Sequence, residues 1–177
     1  MFYLKLITVL FLAVTVESLL PRFWGPASYV DLPLIVTVYF ALMRDPVLGM
    51  LTGYAAGLSG DLASGSGPII GVGGFSKTII GFLVATVAVR FSLEGPLVRV
   101  VVIGMSSVVN SLLFIGLHNL MDQGLTDQTS PERIAMKVAF EAAANLVLGV
   151  VLFWLLDKLF PEHAASGQMR VRRRFYD

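Results

Sequence analysis

From Val100 to Met121 the chain carries no aspartate, glutamate, lysine or arginine. That stretch is longer than the roughly 20 residues a helix needs to cross a bilayer. The rest of the sequence is of the same kind, with 56% hydrophobic and 14% charged residues, against a globular norm of about 45 to 50% and about 25%. One soluble core does not absorb that excess, so the chain is read as a polytopic membrane protein. Six spans of about 20 residues would use some 120 positions and leave under about sixty for loops and tails. No separate soluble catalytic domain fits in that remainder. The lack of cysteine removes disulfides, thiolate nucleophiles and cysteine-ligated metal centres. His118 and His163 are too few and too far apart for a histidine-rich metal site, so neither a cofactor nor a metal is expected.

Apolar runs between turn signals predict six helices: Leu4 to Leu20, Leu32 to Met43, Val47 to Ala63, Phe75 to Val89, Leu97 to Leu117 and Ile134 to Leu156. The second spans only if residues before Asp31 join it, and the fourth is short enough to start nearer Ile69 or to be re-entrant. Asp31-Leu-Pro33 reads as a helix start, with Asp31 as N-cap and proline in the first turn. Glu17 to Pro21 offers no small-residue cleavage site, so the first run is read as a retained span. The expected layout is one transmembrane domain over 1–160 and a basic tail over 161–177.

Positive charge is retained on the cytoplasmic side. With the N-terminus inside, the cytoplasmic face receives Lys5, Arg44, Arg90, Arg99, Lys158, Arg170, Arg172, Arg173 and Arg174, nine of the thirteen basic residues. Both termini are therefore expected in the cytoplasm. Arg170, Arg172, Arg173 and Arg174 either fix topology or grip anionic lipid at about 1 kcal/mol per charge.

Gly49, Gly53, Gly57 and Asp61 fall at steps of four on one helix face. Such a small-residue stripe lets backbones approach closely; it serves either packing within the bundle or a subunit or ligand surface, and Gly65 extends the pattern. Arg133, Lys137, Glu141, Asn145 and Gly149 form a second ladder at the same step, in which Lys137 and Glu141 can pair and Asn145 offers both donors and an acceptor. By topology Glu17, Asp61, Lys77 and Glu141 share one depth in the outer half. Ionisable groups inside a bilayer each cost about 2.5 to 3.5 kcal/mol or more unless paired or wetted. They are therefore expected to converge on an outward-opening cavity, with Asn110 below and His118 at the rim, either as salt bridges such as Lys77 with Asp61 or Glu141 that hold the bundle and dock a partner helix, or as a solute or proton site. Because the inner halves read as apolar, a proton route through the membrane is not expected.

The segment from Ser64 to Thr78 comes close to a phosphate-binding loop. Ser76 replaces its second glycine, however, and neither the preceding strand nor a magnesium carboxylate is in place. A glycine-rich connection between close-packed helices is the better reading. No catalytic triad and no nucleic-acid surface stands out.

From Asp31 to Leu83 the chain combines a D-L-P-L entry, a short apolar span, an Arg44-Asp-Pro turn and Gly53-x3-Gly57-x3-Asp61-x-x-Ser64-Gly65 followed by Gly71. In this stretch, as in its overall length, short spans and basic end, it resembles the bacterial rod shape-determining MreD family. That resemblance implies a plasma-membrane scaffold or regulator of cell elongation rather than an enzyme. It also implies association with MreC and, through it, with the RodA glycosyltransferase and a penicillin-binding transpeptidase. The family is similar to the S-components of energy-coupling-factor transporters, six-helix bundles with an outward pocket, and so a solute-capturing subunit is the competing expectation. The expected partners are membrane proteins and lipids and not nucleic acid, with self-association left open.

Overall fold

The computed structural model describes residues 2–23, 25–64, 71–91, 95–121 and 130–161, and among these the regular structure is all helical. The helices are α1 (Phe2–Phe23), α2 (Leu32–Ala41), α3 (Pro46–Ser64), α4 (Val72–Arg90), α5 (Pro96–Leu120) and α6 (Pro131–Leu159), with a 3-10 turn at Gly25–Tyr29. They coincide with the six apolar runs to within a few residues. Four of them, α1, α4, α5 and α6, are long and apolar enough to cross a membrane. Pro46, Pro96 and Pro131 all stand in the first turn of a helix, where their missing N–H is not needed. Asp45 caps α3 by accepting from the N–H groups of Val47 and Leu48 at 3.0 and 3.1 Å.

α2 departs from expectation. It does not recruit residues before Asp31 and has only 10 residues, about 15 Å of helix and half a hydrocarbon layer. Every residue from Pro33 to Ala41 is buried, as befits a helix that is apolar all round. α2 is the central post of the bundle and packs on each of the other five helices. Around it run α1, α3, α4, α5 and α6 in that order, each touching the next. Among the described residues the ring breaks only between α6 and α1. The 3-10 turn packs on both helices at one end of this gap. At the other end Phe2 meets Phe160 edge-on, and Lys5 Nζ donates to Leu159 O at 3.4 Å.

Because α2 is short, the two ends of the bundle are built differently. Its C-terminus reaches the end that charge assigns to the cytoplasm and is packed solid there. Its N-terminus stops about halfway up, leaving a space walled by its neighbours. Hydroxyls facing the bundle return to their own helix: Thr37 Oγ1 donates to Pro33 O at 2.9 Å, and Thr78 Oγ1 donates to Gly74 O at 2.6 Å. Such bonds keep polar side chains satisfied where water is absent.

Candidate functional site

The glycine stripe on α3 is occupied by α4. A Cβ at Gly53 would run into the carbonyl of Lys77, one at Gly57 into the carbonyl of Gly73, and one at Gly49 would lie 2.5 Å from Gly81 O. Contacts this close require hydrogen in place of a side chain on both helices, and α4 answers with Gly73 and Gly81 eight residues apart. Of the two uses the stripe allowed, packing within the bundle is the one the structure displays. Gly65 lies outside the described residues, as do Arg170, Arg172, Arg173 and Arg174.

Close approach brings Asp61 over the start of α4. Its Oδ2 accepts from the N–H groups of Gly71, Gly73 and Gly74 at 2.8, 3.0 and 3.4 Å. Gly71 precedes the helix in a left-handed conformation, φ +110°, and has no side chain with which to cap it. The carboxylate from α3 takes that role and complements the positive end of the helix dipole. The anion site that the phosphate-loop-like sequence suggests is thus filled by the chain's own aspartate.

Asp61 is consequently not the partner of Lys77, and neither is Glu141. Lys77 Nζ lies 2.8 Å from Asp31 Oδ2 in a mostly buried ion pair. Sequence distance conceals this: the pattern Asp31-Leu-Pro33 places Asp31 at the start of α2 alone, yet its two oxygens divide the work. Oδ1 accepts from Leu34 N–H at 2.9 Å as an N-cap, while Oδ2 takes Lys77 and the Asn110 amide, the latter at 3.2 Å. The Asp31 N–H donates to Asn145 Oδ1 at 2.8 Å, and Asn145 Nδ2 donates to Ser107 Oγ at 2.8 Å. Ser76 Oγ donates to Asn110 Oδ1 at 3.1 Å. Three helices, α4, α5 and α6, are therefore tied to one short segment, the entry of α2.

Above this network lies a cavity of about 500 Å³. The structure brings Glu17, Asp61, Lys77, Asn110, Lys137, Glu141 and Asn145 to its wall, along with Asp31 and His118. Glu141 accepts from Ser111 Oγ at 2.5 Å and lies 3.6 Å from the exposed Lys137. His118 Nδ1 is 2.9 Å from Phe114 O, with the two rings 4.2 Å apart. Phe114, Ile115, Tyr29 and Pro21 supply apolar wall. Arg133 and Gly149, the other members of the α6 ladder, are not on the wall; Gly149 packs on Ile103 instead. Among the described residues no group of three or more acidic or histidine side chains is arranged to hold a metal ion. Sequence reading missed Asp31, Ser107 and Ser111 as wall residues. The signal was available for α5, whose Ser107, Asn110, Ser111, Phe114 and His118 repeat at three and four like any helix face.

The inner end carries a second polar contact that the apolar reading of that half overlooked. Arg99 Nη1 is 2.8 Å from Asp157 Oδ2, and Tyr39 Oη donates to Asp157 Oδ1 at 3.1 Å. Beside it Phe2, Tyr39, Phe40, Phe153 and Phe160 stack edge to face, with centroids 5.2 Å apart for both Phe40–Phe160 and Tyr39–Phe153. Phe40 is wholly buried. These rings fill the space around the C-terminal end of α2 as a plug.

The sequence model of the rod shape-determining protein MreD family matches residues 1–159, nearly the whole described bundle. The chain belongs to the MreD family. Searches of curated proteins and of solved structures return no match. As an MreD-family member the chain is a multi-pass membrane protein with a role in rod shape determination, and the vestibule and plug described above are this member's own geometry.

Proposed function

We propose that the chain is a non-enzymatic scaffold of the cell-elongation complex in the bacterial inner membrane, and that its outward vestibule and lipid-facing helices hold partner membrane proteins during lateral peptidoglycan synthesis. The family resemblance names those partners: MreC and, through it, the RodA glycosyltransferase and a penicillin-binding transpeptidase. The observation that carries this reading is the contrast within the bundle, a hollow polar outer end above a filled aromatic inner end. A body open at one end and filled by rings at the other suits holding a partner more than passing a solute through. The cavity volume of about 500 Å³ falls in the small-molecule range of about 300 to 1,000 Å³, which keeps the solute-capturing reading as the competitor.

Purification from native membranes in mild detergent, followed by native mass spectrometry, separates the two. The scaffold reading expects bound membrane polypeptides that include MreC. Retention of one small solute without any membrane polypeptide would replace it with the capture reading. The basic tail is assigned to lipid or topology and is expected to be dispensable for the complex.

A further inference from the structure

The vestibule is short of positive charge. Its wall holds four carboxylates, Glu17, Asp31, Asp61 and Glu141, and two ammonium groups, those of Lys77 and Lys137. Asp61 is offset by three backbone N–H groups and Glu141 by Ser111 and Lys137. Lys77 is left to serve both Asp31, which it touches, and Glu17 nearby. Among the described residues, Glu17 Oε2 is the one buried side-chain polar atom with no hydrogen-bond partner. An unmade bond to a buried carboxylate is costly.

The space beside Glu17 also has a shape. At about 1.5 Å per residue, Glu17 stands roughly 20 Å above the start of α1. Phe114 and Ile115 on α5 and Pro21 on α1 stand higher, toward the mouth. An entering group therefore passes apolar wall before it meets the carboxylate. Lysine and arginine have this form, an apolar stem with a cationic head.

We propose that the vestibule receives one lysine or arginine side chain from a membrane partner and that Glu17 is its acceptor. The inference rests on the scaffold reading and names the contact by which one partner is held. A volume of about 500 Å³ admits a side chain or two but not the 10 to 12 Å cylinder of a helix, so the partner reaches in rather than inserting a span.

The test places a photoreactive benzoylphenylalanine at Ile115 in the full-length protein in its native host and sequences the captured peptide. The expected peptide comes from a membrane protein and carries a lysine or arginine within two turns of the attachment point. Capture is expected to fall about tenfold with Glu17→Gln, the scale of one lost charge-assisted hydrogen bond, and to be unchanged with the exposed Glu132→Gln. Replacing the captured basic residue by methionine on the partner must reproduce the loss, which keeps the test decisive if Glu17→Gln does not fold. A captured segment with no basic residue, capture indifferent to both changes, or lipid alone overturns the proposal. If MreC still co-purifies in that case, the scaffold reading stands without this contact. If no membrane polypeptide is recovered by either route, the scaffold reading itself fails.

Discussion

The two ends of α2 solve the same problem in opposite ways. At its C-terminus Tyr39 and Phe40 are enclosed by rings from α1 and α6, and the one ion pair nearby, Arg99 with Asp157, is about one-third exposed on each side. At its N-terminus Asp31 is held by Lys77, Asn110 and Asn145 around an open cavity, with side-chain exposures of only 11% for Lys77 and 19% for Asp31. The first end is filled, and its ion pair is within reach of water. The second is hollow and depends on directional bonds, because a buried charge without its partner has no water to turn to. The lesson is that a bundle of this size keeps a cavity open by shortening one central helix and placing polar contacts at its tip.

Gly53→Leu should have the largest effect. The added side chain must displace the Lys77 backbone, which moves Asp61 and Lys77 together and disturbs the outer end more than the inner. Loss of about 3 kcal/mol or more is expected, at the severe end for overpacking, measured by thermal unfolding in detergent. A variant as stable as the parent would mean that the seam does not set the spacing of α3 and α4.

Lys77→Met comes next, at about 3 kcal/mol for a broken buried pair. Adding Asp31→Asn should cost less than the two single losses summed, because the second change removes the carboxylate that the first leaves stranded. Strict additivity in the same assay would dissolve the outer network into independent contacts. Phe40→Ala removes the wholly buried ring of the plug and should also cost about 3 kcal/mol. Combined with Lys77→Met it is expected to add within about 0.5 kcal/mol, since the two sites share no partner. Marked coupling would join the two ends of α2 into one unit and break the comparison. The smallest effect is expected from Asp157→Asn, under about 1 kcal/mol given its exposure, and shrinking further in high salt. A loss equal to that of Lys77→Met would place the inner ion pair on the same footing as the outer one.

Much of the fold was legible. Six apolar runs became six helices, and the stripe Gly49, Gly53, Gly57 marked a close helix contact, because span length and side-chain size act locally along the chain. The depth shared by Glu17, Asp61, Lys77 and Glu141 could also be read, since 1.5 Å of rise per residue converts position into height. Pairing could not. The Lys77–Asp31 contact joins residues on two helices whose rotation is fixed by packing, and spacing along one helix carries no information about its neighbour's azimuth. A count of charges alone puts Asp61 in an ion pair, whereas the free N–H groups at the start of α4 are what hold it.

The sequence by itself determined that this chain lives in a membrane, how many helices it forms and roughly where along their length the polar groups lie, because the cost of burying charge and the length of a span are properties of residues and of the bilayer. Only the tertiary structure decided that α2 stands at the centre, that α4 fills the glycine seam, and that Asp31 rather than Asp61 or Glu141 meets Lys77. Those outcomes depend on which faces of separate helices come within 3 Å of each other, a distance that packing sets and that no periodicity along the chain encodes.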